Sequence, residues 1–326
     1  MKGMELSRAY YEAHGRQMLY EGFPGYADKI AAGLVGQGSE CFGFDDSLSC
    51  DHDYGPGFCL WLTRKDFQAV GPALQSAYDA LPREFMGFPA RLQSRHGGGR
   101  VGVLEADDFY RRQIGCSRVP ESLLEWLRIP EFRLATVTNG EVFQDPLGEF
   151  SSVRTALLRF YPEDVRVKKI AARAATMAQS GQYNYARSMS RGETVPAILA
   201  LAEFVKHTMS MVYLLNRKYA PFYKWMHRGM RELSVLAEIY DLVRKLSLAG
   251  IHAESWLFGT PGEMATVLNS DDENVVLVER ICQLVKERLQ LEELTDTDED
   301  FLAPHAERIM MRIKDSSIRE LHVMEG

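Results

Sequence analysis

Over the first ~115 residues the apolar positions fall in short blocks. From about Val119 onward they recur every three or four positions in long ones. Residues 5–25 have the helical spacing of Leu6, Tyr10, Ala13 and Met18. Residues 30–35 are apolar and are halted by Gly36-Gln37-Gly38-Ser39, a strand running into a glycine-rich turn. Residues 58–62 have strand composition, and Thr63 then N-caps a helix reaching Leu81. Residues 89–93 and 100–105 flank His96-Gly97-Gly98-Gly99 and predict two strands joined by a hairpin loop. Helical periodicity covers 152–160, 162–180, 195–217, 221–248, 262–268 and 272–294, punctuated by Gly181, Gly192, Pro221 and Gly250. A strand pair, 135–138 with 141–143, is expected around Asn139-Gly140. The pattern predicts an α+β chain. A mixed β-sheet domain spans 1–150 and an all-helical bundle spans 151–326.

Length agrees with two domains, since 326 residues exceed the ~100–200 of a typical one. A content of 46% hydrophobic and 25% charged residues excludes global disorder and collagen-like repeats. No uncharged apolar run approaches the ~18 residues of a membrane span, and residues 1–20 are charged throughout, unlike a secretory signal. The expectation is a cytoplasmic protein without a membrane partner. A net charge of −7 argues against bulk nucleic-acid binding but leaves room for a local basic cleft. The five cysteines are odd in number and never spaced C-x-x-C, so they read as buried thiols rather than disulfides or zinc ligands.

Candidate chemistry sits between Gly38 and Asp53. Gly38-Ser39 closes the first strand, where glycine lets backbone N–H groups and a hydroxyl approach a phosphate. Eleven residues later comes Asp51-His52-Asp53, read as the head of the next strand. Alternation on a strand puts Asp51 and Asp53 on one side and His52 on the other. Two such carboxylates repel unless a cation lies between them. Hard oxygen ligands with open positions suit Mg²⁺, or Mn²⁺, completed by water and substrate phosphates. Asp45 and Asp46 read as caps or turn formers. In the helical half, Lys224 beside Tyr223 and Trp225 suits either nucleotide contact or a snorkelling ammonium over a packed Trp. Arg187 with Asn184 suits either a phosphate contact or a helix-terminus cap.

Gly38-Ser39, the eleven-residue spacer and Asp51-His52-Asp53 resemble the signature of the nucleotidyltransferase superfamily that includes DNA polymerase beta. The fuller string, with Gly43-Phe44-Asp45-Asp46 and Tyr54-Gly55-Pro56, looks like a bacterial nucleotidyltransferase-like family filed as a domain of unknown function. So do Thr138-Asn139-Gly140-Glu141-Val142-Phe143-x-Asp145, Gly181-Gln182-Tyr183-Asn184-x-x-Arg187, and Leu215-Asn216-Arg217-x-Tyr219-Ala220-Pro221-x-Tyr223-Lys224-Trp225. The resemblance covers roughly residues 30–230. It implies metal-dependent transfer of a nucleoside monophosphate from a nucleoside triphosphate to a hydroxyl, releasing pyrophosphate. Gly38 and Ser39 would hold the triphosphate, and Asp51 and Asp53 the metal. Asn184, Arg187 and Lys224 would contact the nucleotide. A third carboxylate is expected on strand 100–105, where Gly102 stands at the expected position and Glu105 is the nearest acid. The acidic balance favours a small-molecule or protein acceptor, with tRNA as the alternative. A nucleotide-binding sensor without catalysis, and a toxin or tRNA-modifying enzyme, are the rival readings.

Overall fold

The computed structural model describes residues 1–50, 54–91, 99–252, 256 and 269–326. The chain divides into two compact units, Met1–Pro120 with Ile129–Phe160, and Glu121–Arg128 with Tyr161–Gly326.

In the first unit, helices α1 (Gly3–Tyr10) and α2 (Arg16–Gly22) join through a π-helical turn at Tyr11–Gly15. Strand β1 (Ala31–Leu34) follows, then β2 (Cys59–Leu62), α3 (Arg64–Asp79), β3 (Gly102–Glu105) and α4 (Ala106–Ile114). Helix α5 (Leu123–Arg128) belongs to the second unit, and the first closes with α6 (Glu131–Thr138), β4 (Glu141–Gln144) and α7 (Glu149–Leu158). The strands form one mixed sheet in the order β3-β2-β1-β4. β1 runs antiparallel to β2 and β4, and β2 runs parallel to β3 with Cys59 opposite Gly102 and Leu62 opposite Glu105. One face of the sheet, with Ala32, Leu60, Leu62 and Val103, shares a core with Tyr10, Tyr11, Leu19, Phe58 and Leu74. On the other, Trp61 stacks on Phe150 at 4.0 Å and meets Phe109 edge-on. Thr63 caps α3, its Oγ1 accepting from the Asp66 N–H at 3.2 Å.

Among the described residues, two expected strand pairings are absent. Residues 135–138 lie in α6, where the hydroxyls of Thr136 and Thr138 donate back to the carbonyls of Phe132 and Leu134 at 2.7 and 2.6 Å. The bonds satisfy the threonine hydroxyls, while burial of Leu134, Ala135 and Val137 overrides the local β-propensity that suggested a strand. β4 pairs with β1 instead. β3 has β2 as a parallel partner rather than a hairpin mate, and Pro89–Arg91 is not strand. Residues 92–98 lie outside the described residues.

The second unit is helical. Helix α8 (Glu163–Met177) continues through a π-helical segment, Ala178–Tyr185, into α9 (Ala186–Met189). Then come α10 (Thr194–Leu215), α11 (Tyr223–Gly229), α12 (Ile239–Leu248), α13 (Glu273–Leu291), α14 (Leu302–Met310) and α15 (Ser316–Arg319). α8 is the central helix, packed by α5, α10, α14 and α15. Gly181 does not break the helical run: a Cβ there would lie 2.3 Å from the Phe204 ring, so the glycine permits a close crossing with α10. The helix expected over 221–248 is two helices. Asn216 holds the intervening chain, accepting from the Val235 N–H and donating to its carbonyl, both at 2.9 Å, and Leu236 sits at φ +59°. The helix expected at 262–268 lies outside the described residues. α10 is long and apolar enough to cross a membrane by length and composition. It carries Glu203 and Lys206, and more than half of its apolar window is buried.

Candidate functional site

The turn after β1 is built around glycines. Gly36 and Gly38 have φ of +131° and +134°, conformations that L side chains rarely adopt. Ser39 then starts a tight 3₁₀ turn, Glu40–Phe42, its carbonyl accepting from the N–H groups of Phe42 and Phe44 at 3.1 and 2.9 Å. The Glu40 side chain folds back over Gly38, where a Cβ would lie 2.5 Å from its Oε2. Arg91 meets Glu40 at 2.8 Å, and both side chains are nearly inaccessible, at 5% and 6% exposure. A second nitrogen of Arg91 donates to the Gly55 carbonyl at 3.3 Å. Two charges buried together hold each other because either alone would be strongly destabilising.

A second clamp comes from the end of α6. The Asn139 side chain accepts from the Gly36 N–H at 2.9 Å and donates to the Gly36 carbonyl at 2.7 Å. The Gly140 N–H donates to the Cys41 carbonyl at 2.8 Å. Arg154, on α7, donates from one nitrogen to the carbonyls of Thr138, Asn139 and Gly140 at 2.9, 3.0 and 3.0 Å. A guanidinium there satisfies carbonyls that the end of a helix leaves open and complements its dipole.

Asp51, His52 and Asp53 lie outside the described residues. β2 itself begins only at Cys59. The described residues before and after them are fastened to the start of α1. Asp45, buried, accepts the Gly3 N–H at 2.8 Å, and the Tyr54 hydroxyl donates to the Met1 carbonyl at 2.9 Å. Asp45 therefore acts as a helix cap. Asp46 forms a turn, accepting from the N–H groups of Leu48 and Ser49.

Glu105 ends β3, and its Oε1 accepts from Arg64 Nε at 3.0 Å. By alternation it shares the sheet face of Val103, whereas Gly102 shares that of Leu104. Gly102 has φ +102°, and a Cβ there would lie 2.9 Å from the Gln75 side-chain oxygen, which accepts the Val103 N–H. Among the described residues, no three His, Cys, Asp or Glu gather to hold a metal ion, so these residues alone do not make a metal site. The thiols of Cys41, Cys59 and Cys282 are buried, and burial pushes Cys59 up to about 12, which leaves it protonated and unreactive.

In the second unit, Arg187 donates to the Tyr183 hydroxyl at 2.6 Å, with its guanidinium 5.3 Å from that ring. Asn184 is exposed. Lys224 is exposed, its ammonium 5.0 Å from the Trp225 ring centroid. Gln182 is structural, tying Glu279, the Asp300 carbonyl and the Leu302 N–H at 2.9 Å each. Sequence reasoning missed Glu40, Arg91, Arg154 and the role of Asn139. The glycine pairing Gly36-x-Gly38 was a signal that something must pack against that turn, but nothing local named the partners.

Among solved structures, the chain is similar to a nucleotidyltransferase-like protein from Exiguobacterium sibiricum 255-15. The identity is 12% over 89% of this chain and 81% of that one, with a TM-score of 0.36. No curated protein matches the chain. A family model described as a domain of unknown function (DUF4037) matches residues 126–226, a stretch that holds the Asn139-Gly140 clamp and the Gln182–Arg187 string but not the Gly38 turn.

Proposed function

We propose that the chain is a nucleotidyltransferase that moves a nucleoside monophosphate from a nucleoside triphosphate to a hydroxyl, releasing pyrophosphate. The acceptor is a small molecule or a protein, with tRNA as the alternative. The observation that carries this reading is the Gly36–Ser39 turn, held on one side by Asn139 and covered on the other by the Glu40–Arg91 pair. With the Gly36 N–H taken by Asn139 and the Glu40 carboxylate neutralised by Arg91, a backbone fixed in this way leaves the N–H groups of Gly38 and Ser39 to meet a phosphate without reorganising, which is the form electrostatic catalysis takes. In this reading Gly38 and Ser39 hold the triphosphate. Asp51 and Asp53 would hold Mg²⁺ or Mn²⁺, which when bound supplies charge neutralisation at the departing pyrophosphate.

Binding without turnover is the second reading. It is favoured by the engagement of Glu105 with Arg64 and by Gly102 at the expected acid position. Thermal unfolding with each nucleoside triphosphate, with and without Mg²⁺, tests the donor site. A donor at 100 times its Kd stabilises the folded chain by about 2.7 kcal/mol, a shift of several degrees. Metal-dependent stabilisation by one triphosphate is the expected result, and no shift with any of them removes both readings. Pyrophosphate release from the stabilising triphosphate then separates the enzyme from the sensor.

A further inference from the structure

In a chain of net charge −7, residues 216–231 carry five Lys and Arg and no Asp or Glu. They run from the end of α10 through α11 into the 3₁₀ turn after it. Six of them are exposed, Arg217, Lys218, Phe222, Tyr223, Lys224 and Arg231, and every one is basic or aromatic. Exposed rings lose the burial that ordinarily stabilises them, so a cluster of them at the surface marks a contact made with something else.

The rings are held from beneath. Ala220, Pro221 and Met226 are buried, and the Tyr213 hydroxyl donates to the Met226 carbonyl at 2.9 Å. The Trp225 N–H donates to the Phe222 carbonyl at 2.8 Å. On this base Phe222 and Tyr223 stand together, their ring centroids 4.6 Å apart, with Tyr223 70% exposed. The Lys224 ammonium lies 5.0 Å from the Trp225 ring. A fixed pair of rings can stack on a flat ligand without first losing side-chain freedom.

The cations differ in what already engages them. Arg217 pairs with Glu163 at 3.0 Å, and Arg231 donates to the Tyr240 hydroxyl at 2.7 Å. Lys218 and Lys224 have no carboxylate partner among the described residues. Two ammonium groups beside exposed rings suit a ligand that carries both anions and π-faces. A nucleic-acid strand with unpaired bases has the two in alternation, whereas a duplex hides its faces. An anionic membrane is a poorer match. Faces that enter lipid add aliphatic side chains to their aromatic ones, and none is exposed in this stretch.

We propose that Lys218, Phe222, Tyr223 and Lys224 form a binding site for single-stranded nucleic acid, in which bases stack on the rings and the ammonium groups meet the phosphates. Stacking and charge hold the strand, not base edges, so the site tolerates many sequences. It lies beyond the donor site proposed above and stands without it.

The probe is a fluorescein-labelled oligouridylate of about 12 nucleotides, within the span that such sites occupy, followed by anisotropy across salt concentrations without metal or triphosphate. Tyr223→Ala weakens its binding about tenfold, as the loss of one stacked base does. Lys224→Gln weakens it and lowers the slope of affinity against salt by about 0.7, the share of one phosphate contact on a single strand. Both side chains are exposed, so the variants keep the fold. An abasic strand of the same length offers charge alone: the wild type binds it more weakly, and Tyr223→Ala makes no difference to it. Binding that is undetected at low salt, or that Tyr223→Ala leaves unchanged, overturns the proposal. So does tight binding to phosphatidylglycerol vesicles that the oligouridylate does not displace, which would assign the surface to a membrane. The Asp51→Asn/Asp53→Asn variant binds the strand as the wild type does, so failure of this site and failure of the donor site are told apart.

Discussion

Gly38 combines two constraints that can be separated by substitution. Its φ of +134° is strained for any L side chain, and a Cβ there would displace the carboxylate of a buried ion pair. Gly87 shares only the first constraint, with φ +79° and open space around its Cα. Gly87→Ala is expected to cost about 1 kcal/mol, the penalty of a left-handed backbone. Gly38→Ala adds the disturbance of Glu40 and Arg91, and is expected to cost about 3 kcal/mol or more, in the range of breaking a buried pair. Urea unfolding of the two variants checks this. Equal losses would mean that Glu40 is free to move aside and that the turn is not rigidly covered.

At the scale of elements, the α6–β4 junction carries the turn. Asn139→Ala leaves both the N–H and the carbonyl of Gly36 without their side-chain partner. The expected loss is about 2 kcal/mol of stability, read by urea unfolding, since two partly buried groups lose their bonds. That junction also shows what was legible in the sequence. Thr63, the glycine turn after β1 and the long helices of the second unit were readable, because caps, glycines and 3.6-residue periodicity are local signals. Residues 135–138 were misread because β-branching is also local, while the tertiary packing that buries Leu134, Ala135 and Val137 in a helix leaves no mark on the pattern. Asn139-Gly140 looked like a hairpin, but its amide serves a residue 103 positions away in sequence. The same distance problem hid Arg91, which is 51 positions from Glu40. Contacts set by tertiary folding leave no periodicity to read.

The α8–α10 contact makes a separate prediction. Burial and the Arg173 charge lower His207 to about 4, opposed by Glu203, whose carboxylate lies 2.7 Å from its Nε2, while Lys206 adds to the lowering. His207 is thus neutral when folded and titrates near 6.5 when unfolded. Between pH 6.5 and 4 the unfolded chain binds the extra proton, so stability is fully present above that window and falls as pH drops through it. His207→Gln removes this slope. Urea unfolding at pH 7, 5.5 and 4.5 is expected to show the wild-type advantage over the variant shrinking toward acid. An advantage that stays constant would mean that His207 does not gain its proton on unfolding.

The molecule as a whole carries a charge of −7, so each added acid works against compaction, and a pair of neighbouring carboxylates does so locally as well. If Asp51 and Asp53 share a cation site, Asp51→Asn/Asp53→Asn relieves that repulsion in the metal-free chain. Its melting temperature is expected to equal or exceed that of the wild type. The same change removes the ligands of the metal, so the Mg²⁺-dependent stabilisation by the donor triphosphate disappears, a loss of about 2.7 kcal/mol at 100 times the wild-type Kd. These two effects have opposite sign on one observable. A merely structural pair of aspartates would lower the metal-free melting temperature when replaced, and surface aspartates with no role would leave both readings unchanged. Only a metal-binding pair keeps or raises the first melting temperature while abolishing the second shift.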